Sequence, residues 1–359
     1  MTSPASSAPG PGASEPAGDG AGLRALSRRG GCPTFGVMMP HFGAQASRER
    51  VIDGSALVER LGFDAVWVRD HLLWTPHGHE TGNLTFIEPM LALAAVAAVT
   101  RRIYLGTAVL IPVRAPLKLA QELATLSYLS EGRVVAGLGA GHFHDELVAA
   151  GMDPDRGQDI LAETTEIVRE VWGNEVAKYA GDLFSFDSVR MEPKPAAPLP
   201  LWYGGTTQAA IRRVVARFDG WIPGGLPHAT MDARLRYLAD RCAEAGRPMP
   251  VVGNILGTYI SRNRAEAVAR VDVKSLSTAS EGSKFWVKPA SGSFDTLQDL
   301  RGMLAVGEPG DVVEQVVELA QRPIDHIVFD LRHQFETYEE SLKLIASAVL
   351  PAVRASLSA

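Results

Sequence analysis

RIYLGTAVLIPVRAPLKLAQELATLSYLSEGRVVAGLGAGHFH, residues 102–144, decides the fold. Residues 103–110 are apolar and partly β-branched. Residues 118–129 place Leu119, Leu123, Leu126 and Leu129 at helical spacing, and 133–138 return to an apolar run. Two apolar strands joined through one helix are the pattern of parallel strands buried on both faces. The first strand leads into Ile111-Pro112 and the second into Gly139-Ala140-Gly141-His142. Ligands of parallel α/β proteins sit beyond the carboxyl ends of the strands. These two strand ends are therefore read as walls of one binding site.

Working outward, the same alternation recurs. Strands are expected at 35–39, 65–68, 103–110, 133–138, 201–203, 220–222, 251–260 and 326–331. Helices are expected at 47–61, 88–100, 118–129, from Asp145, again after a break at 151–157 as far as Trp172, then at 208–218, 231–245, 264–276 and from Pro309 to 321, with a closing helix from about 336. Ser47 is placed to cap the first helix and Gly62 to end it. Eight strands alternating with helices make a (β/α)8 barrel, with an open doubly wound sheet as the competitor. A hairpin at 178–195 and an irregular stretch at 277–303 read as insertions after strands 4 and 7.

The chain has 359 residues, 46% of them hydrophobic, enough to bury one large core. Its net charge of -6 argues against a nucleic-acid surface. Residues 1–33 are mostly Ala, Ser, Pro and Gly, so this tail is expected to be disordered, with 34–359 as a single domain. The tail lacks the apolar core of a signal peptide, and no run is read as a membrane span. Cys32 and Cys242 suggest neither a disulfide framework nor a metal cluster. The expectation is a cytoplasmic protein.

Glycines dominate the strand ends, where charges are few. That combination suits a large flat ligand better than a metal. Gly204-Gly205-Thr206-Thr207 opens a helix whose amides and dipole favour a phosphate. Asp70-His71 is the best acid–base pair: His71 is taken to exchange the proton and Asp70 to brace backbone, with Trp74 flanking a planar ring. His77-Gly78-His79 and His142-Phe143-His144 have His-x-His spacing, but the first strand offers only His41 and the fifth and sixth offer no ligands. No metal is therefore expected.

Five stretches identify a resemblance: LGFDAVWVRDHLLW (61–74), EPMLALAAVAAVTRRIYLGTAVLIPVRAP (88–116), LATLSYLSEGRVVAGLGAGHFHDEL (123–147), PLPLWYGGTTQAAIRRVVARFDGWIP (198–223) and GEPGDVVEQV (307–316). In that order they resemble the bacterial-luciferase-like flavin and deazaflavin oxidoreductases, particularly the branch assigned to coenzyme F420. The resemblance implies a luciferase-like barrel holding coenzyme F420 by preference, or FMN, and reducing or oxygenating a small organic substrate. It implies a non-proline cis peptide at Ala108-Val109 under the ring, within a wall that includes His41 and Thr107. It places the phosphate at Gly204, Gly205, Thr206 and Thr207, with Gly139, Gly141 and His142 alongside. His71, Asp70 and Trp74 would be the catalytic group. Lys178, Arg190 and Lys194, or Lys284 and Lys288, could supply a basic rim for an anionic tail. With FMN a separate flavin reductase is implied. The apolar helix at 88–100 points to a homodimer. The rival readings are a metal-dependent hydrolase barrel and a relative that binds cofactor without catalysis.

Overall fold

A computed structural model describes residues 22–73, 82–141, 143–279 and 284–358. Its eight barrel strands are β1 Thr34–Met38, β2 Ala65–Val68, β3 Tyr104–Thr107, β4 Val134–Leu138, β5 Leu201–Tyr203, β6 Gly220–Trp221, β7 Val251–Ile260 and β8 His326–Asp330. Every pairing around the ring is parallel, and β6 on β7 and β8 on β1 close it. Each expected strand is present within two or three residues at its ends. In β1, β2, β4 and β8 every residue is buried. One face meets the barrel interior and the other the helices, so these strands lack the alternation of a half-exposed sheet.

The interior is filled by Met38, Trp67, Val135, Trp202, Ile222, Val251 and Val328. Indoles this large fit because strand glycines leave room. A Cβ on Gly106 would lie 2.4 Å from Trp67, and one on Gly220 would lie 2.4 Å from Trp202. His326 is the polar member of this layer. Its Nδ1 is 2.8 Å from Thr34 Oγ1, and Trp67 Nε1 donates to its Nε2 at 2.9 Å. Both ring nitrogens are satisfied, as a buried polar group requires.

The tail reading is corrected here for residues 22–33. Ala25 and Leu26 are buried against the interior cluster, and Thr34 Oγ1 donates to the Leu26 carbonyl at 2.7 Å. Read with the Ala-, Ser-, Pro- and Gly-rich tail before it, this segment carried two side chains buried against the interior cluster, and composition could not reveal them. Residues 1–21 lie outside the described part.

Helices α1 Arg48–Arg60, α2 Pro89–Val99, α3 Pro116–Leu129, α4 Gly157–Gly173, α5 Gln208–Arg217, α6 His228–Glu244 and α7 Pro309–Ala320 pack around the strands. Ser47 caps α1, accepting the Arg50 N–H at 3.2 Å. The 27-residue run Arg332–Ser358 is long and apolar enough to cross a membrane. Leu342, Ile345, Val349 and Val353 on it are fully buried in the core cluster, so it serves as the barrel's closing helix.

Both insertions are present. The hairpin Ala177–Ala180 with Ser185–Val189 is tied to α4, where Glu163 accepts the N–H groups of Asp182 at 2.9 Å and Phe184 at 3.0 Å. After β7, the expected helix at 264–276 splits into Arg264–Ala269 and Val273–Ala279. Beyond it, Leu304–Gly307 forms an unforeseen strand paired on the end of β7.

Candidate active site

The carboxyl ends of β2, β3 and β4 bring together His71, Asp70 and two residues that sequence reading passed over. His71 Nδ1 lies 3.3 Å from Glu146 Oε2, with the His71 side chain 8% exposed and that of Glu146 2%. Glu146 comes from the short helix His144–Ala149, and its other oxygen accepts the Leu73 N–H at 3.1 Å and the Leu72 N–H. Burial pushes the Glu146 carboxyl up. The bonds from His71 and the two amides outweigh that and hold it below the ordinary carboxylate range. Phe86 meets the His71 ring edge-on at 5.5 Å and Phe143 lies at 5.4 Å. An ionised carboxylate fixing an imidazole among aromatic rings is a geometry that can hold and pass a proton.

Asp70 faces away from this pair and makes a different structure. It accepts the Ile111 N–H at 3.0 Å and is held by both Nη atoms of Arg114, one at 3.0 Å. Arg114 also reaches Glu88 at 2.6 Å. Burial pushes the Asp70 carboxyl up against the pull of Arg114. Arg114 is itself pushed up, because Asp70 and Glu88 more than offset its own burial. Asp70 is thus a brace for the backbone after β3, and of the two residues His71 is the one paired with Glu146.

The Ala108-Val109 peptide is cis, as the resemblance implied. Ala108 and Val109 are half-exposed between the buried Thr107 and Leu110, and so form a floor at the mouth. The neighbouring glycines are explained by this floor. A Cβ on Gly139 would lie 2.5 Å from Val109 Cγ2, and one on Gly204 would lie 2.7 Å from Val109 Cγ1. Gly139 and Gly204 first make room for Val109. Gly141 has φ +73°, where a side chain is strained.

Two expected contact residues are turned to other work. Thr107 is fully buried, and its hydroxyl donates to the Gly137 carbonyl at 2.9 Å. His41 is also fully buried, with Nδ1 3.1 Å from the Met39 carbonyl and Nε2 3.1 Å from that of Arg69. Its burial pushes the imidazole down to about 4. Both hold strand ends in place and offer a ligand no polar atom in this arrangement. Trp74, the His77–His79 motif and His142 lie outside the described residues.

Across the mouth, Gly204, Gly205, Thr206 and Thr207 are all partly exposed. Thr207 is the N-cap of α5, accepting the Ala210 N–H at 3.1 Å. The Gly205 carbonyl accepts from Trp221 Nε1 at 2.8 Å, and the Thr206 carbonyl accepts from Arg234 Nε at 2.7 Å. The loop is thereby fixed, and with the Ala210 amide taken by Thr207, those of Gln208 and Ala209 keep no intrahelical partner. A chargeless floor, a positive helix end on one side and a proton-handling pair on the other suit a flat ring bearing an anionic tail.

The expected basic rim does not form on the hairpin. Lys178 pairs with Asp187 at 3.0 Å, Arg190 with Glu175 at 2.9 Å, and Lys194 Nζ donates to the carbonyls of Val171 and Asn174. The hairpin lies along the flank of α4, and of these cations Lys194 reaches α4 itself, through Val171.

Known proteins share this architecture. The family model for luciferase-like monooxygenases matches residues 33–326. A protein named F420-dependent glucose-6-phosphate dehydrogenase from Nakamurella multipartita is 27% identical, over 88% of this chain and 96% of its own. One of the same name from Microbacterium testaceum is 28% identical, over 87% and 97%. Among solved structures, a monooxygenase from Streptomyces bottropensis superposes with TM-score 0.71 at 26% identity, over 89% of this chain and 99% of its own. An F420-dependent secondary alcohol dehydrogenase shares the fold at TM-score 0.73 and 18% identity, over 89% and 99%.

Proposed function

We propose, since the chain belongs to the luciferase-like monooxygenase family, that its barrel mouth takes coenzyme F420, or FMN in its place, and acts on a small organic substrate. The observation that carries this reading is the half-exposed, chargeless Ala108-Val109 floor with the His71–Glu146 pair at its rim. A tricyclic ring can lie on such a floor without burying a charge against it. When bound, the cofactor supplies the redox chemistry, as a hydride with coenzyme F420 or as a reduced ring open to oxygen with FMN.

The chain's residues supply the rest. Val109 supports the ring, and Asp70 fixes the backbone beyond it through Ile111. His71 holds or moves the proton that leaves or joins the substrate, and Glu146 sets the ring's orientation. Gly204–Thr207 and the α5 amides take the phosphate.

The names of the relatives favour coenzyme F420, and the Streptomyces monooxygenase favours the oxygenating mode. In that mode a separate reductase would deliver reduced FMN. The unpaired Cys32 and Cys242 agree with a cytoplasmic setting. A second copy of the chain is the partner that suits α2 and α3, where Leu91 is 72% exposed and Tyr128 62%.

Fluorescence titration of the apo-protein with each cofactor tests the choice. Saturable one-to-one binding of coenzyme F420, with FMN much weaker, supports hydride transfer. The reverse order supports oxygenation, and binding of neither ends the reading.

A further inference from the structure

Arg234 on α6 is 7% exposed, yet it has no carboxylate partner among the described residues. Its Nε donates to the Thr206 carbonyl at 2.7 Å and its Nη2 to the Phe285 carbonyl at 2.9 Å. The remaining Nη1 has no protein acceptor among the described residues, and it is absent from the buried unpartnered atoms, so it is not sealed from solvent. Burial alone displaces this guanidinium's pKa, downward, with no charged neighbour offsetting it. Arg114 across the mouth gives the contrast. Arg114, at 14% side-chain exposure, is neutralised by Asp70 and Glu88.

A buried cation without an anion is costly. Here it is fastened to the residue just before the N-cap of the ten-residue helix α5, whose positive end faces the same loop. Two positive features converging on one loop repel each other unless an anion joins them. We propose that Arg234 is a binding residue for the phosphate group of the cofactor, completing the anion site begun by Gly204–Thr207. The proposal rests on the reading that this loop receives the cofactor's phosphate. It adds a charged residue from the helix that follows the next strand, β6, which no glycine or threonine motif signals. The guanidinium also fastens the insertion after β7 through Phe285, and a second bond, from the Val287 N–H to Thr230 Oγ1 at 2.8 Å, holds the same segment on α6. The insertion thereby backs the phosphate site.

The test compares ligands with and without the phosphate: coenzyme F420 against its phosphate-free deazaflavin core, and FMN against riboflavin. The wild-type chain is expected to prefer the phosphorylated member of the pair that it binds. Arg234→Gln is expected to weaken that member about ten- to hundred-fold and the phosphate-free core less than two-fold. Arg234→Lys, which keeps the charge and loses the fork, is expected to show a smaller loss confined to the same ligand, and it carries the test if Arg234→Gln does not fold. Inorganic phosphate should compete with the phosphorylated ligand in the wild type. Equal losses on both members of a pair would mark Arg234 as structural and overturn the proposal, as would no loss in either variant. Glucose 6-phosphate that leaves the cofactor bound while its own binding depends on Arg234 would assign the residue to a substrate phosphate and overturn it too. A wild type indifferent to the phosphate would remove the parent reading of the loop, a result visible before any variant is made.

Discussion

The two sides of the barrel mouth manage charge in opposite ways. On the β2–β4 side three contacts join opposite charges: Asp70 with Arg114, Arg114 with Glu88, His71 with Glu146. On the β5–β6 side, Arg234 meets only carbonyls, beside the positive end of a helix. A neutralised cluster is complete before any ligand arrives, and it fixes backbone and proton donors in advance. A cluster with surplus charge is complete only with an anion. Under the proposed function, the chemistry falls to one side and the grip to the other.

The largest effect expected from breaking this division is on turnover. His71→Ala should lower kcat about 10²- to 10⁴-fold while cofactor affinity, read by fluorescence titration, changes little. Full turnover in that variant would take the proton from His71. Next comes stability on the neutralised side. Arg114→Met leaves Asp70 buried without its cation and should cost roughly 3–5 kcal/mol in urea unfolding. A cost below about 1 kcal/mol would mean that the brace is unimportant.

The third effect is acid sensitivity of the wholly buried histidines. Burial lowers His41 to about 4 and His326 to about 3. Unfolded, each takes up its proton near 6.5, so between that pH and its folded value the unfolded chain binds more protons. Stability is then fully present above about pH 6.5 and is lost as pH falls toward 4, by on the order of 3 kcal/mol for His41 alone. Unfolding midpoints that stay flat from pH 7 to 4.5 would contradict this. The smallest effect sharpens the contrast by its absence. Lys178→Ala and Arg190→Ala, in exposed hairpin pairs, should change stability by less than about 1 kcal/mol and leave cofactor affinity untouched.

The barrel was legible because its strands are apolar on both faces and alternate with helices, the first of them capped by Ser47. The cis peptide at Ala108-Val109 was legible through the resemblance, and His71 stood out already as a histidine at a strand end. Other residues were not. Glycine at 139 and 204 reads equally as room for a ligand or room for Val109, and only the packing separates the two. His41 and His71 look alike as strand-end histidines. What distinguishes them is partners far along the chain: backbone carbonyls for one and a carboxylate 75 residues away for the other. Glu146 sat in a short helix with no catalytic motif, and Arg234 among ordinary surface-like arginines of an amphipathic helix. A buried ion pair, or a buried charge lacking one, has no local signature in sequence.

Hydrogen exchange with and without saturating cofactor tests the location of the site most directly. Protection is expected in the amides following β3 through Ile111, those of 139–141 and those of 204–210, with the hairpin at 177–189 unchanged. Protection confined to the hairpin or the outer helices, with the mouth exchanging as in the free protein, would contradict a redox cofactor seated at the end of this barrel.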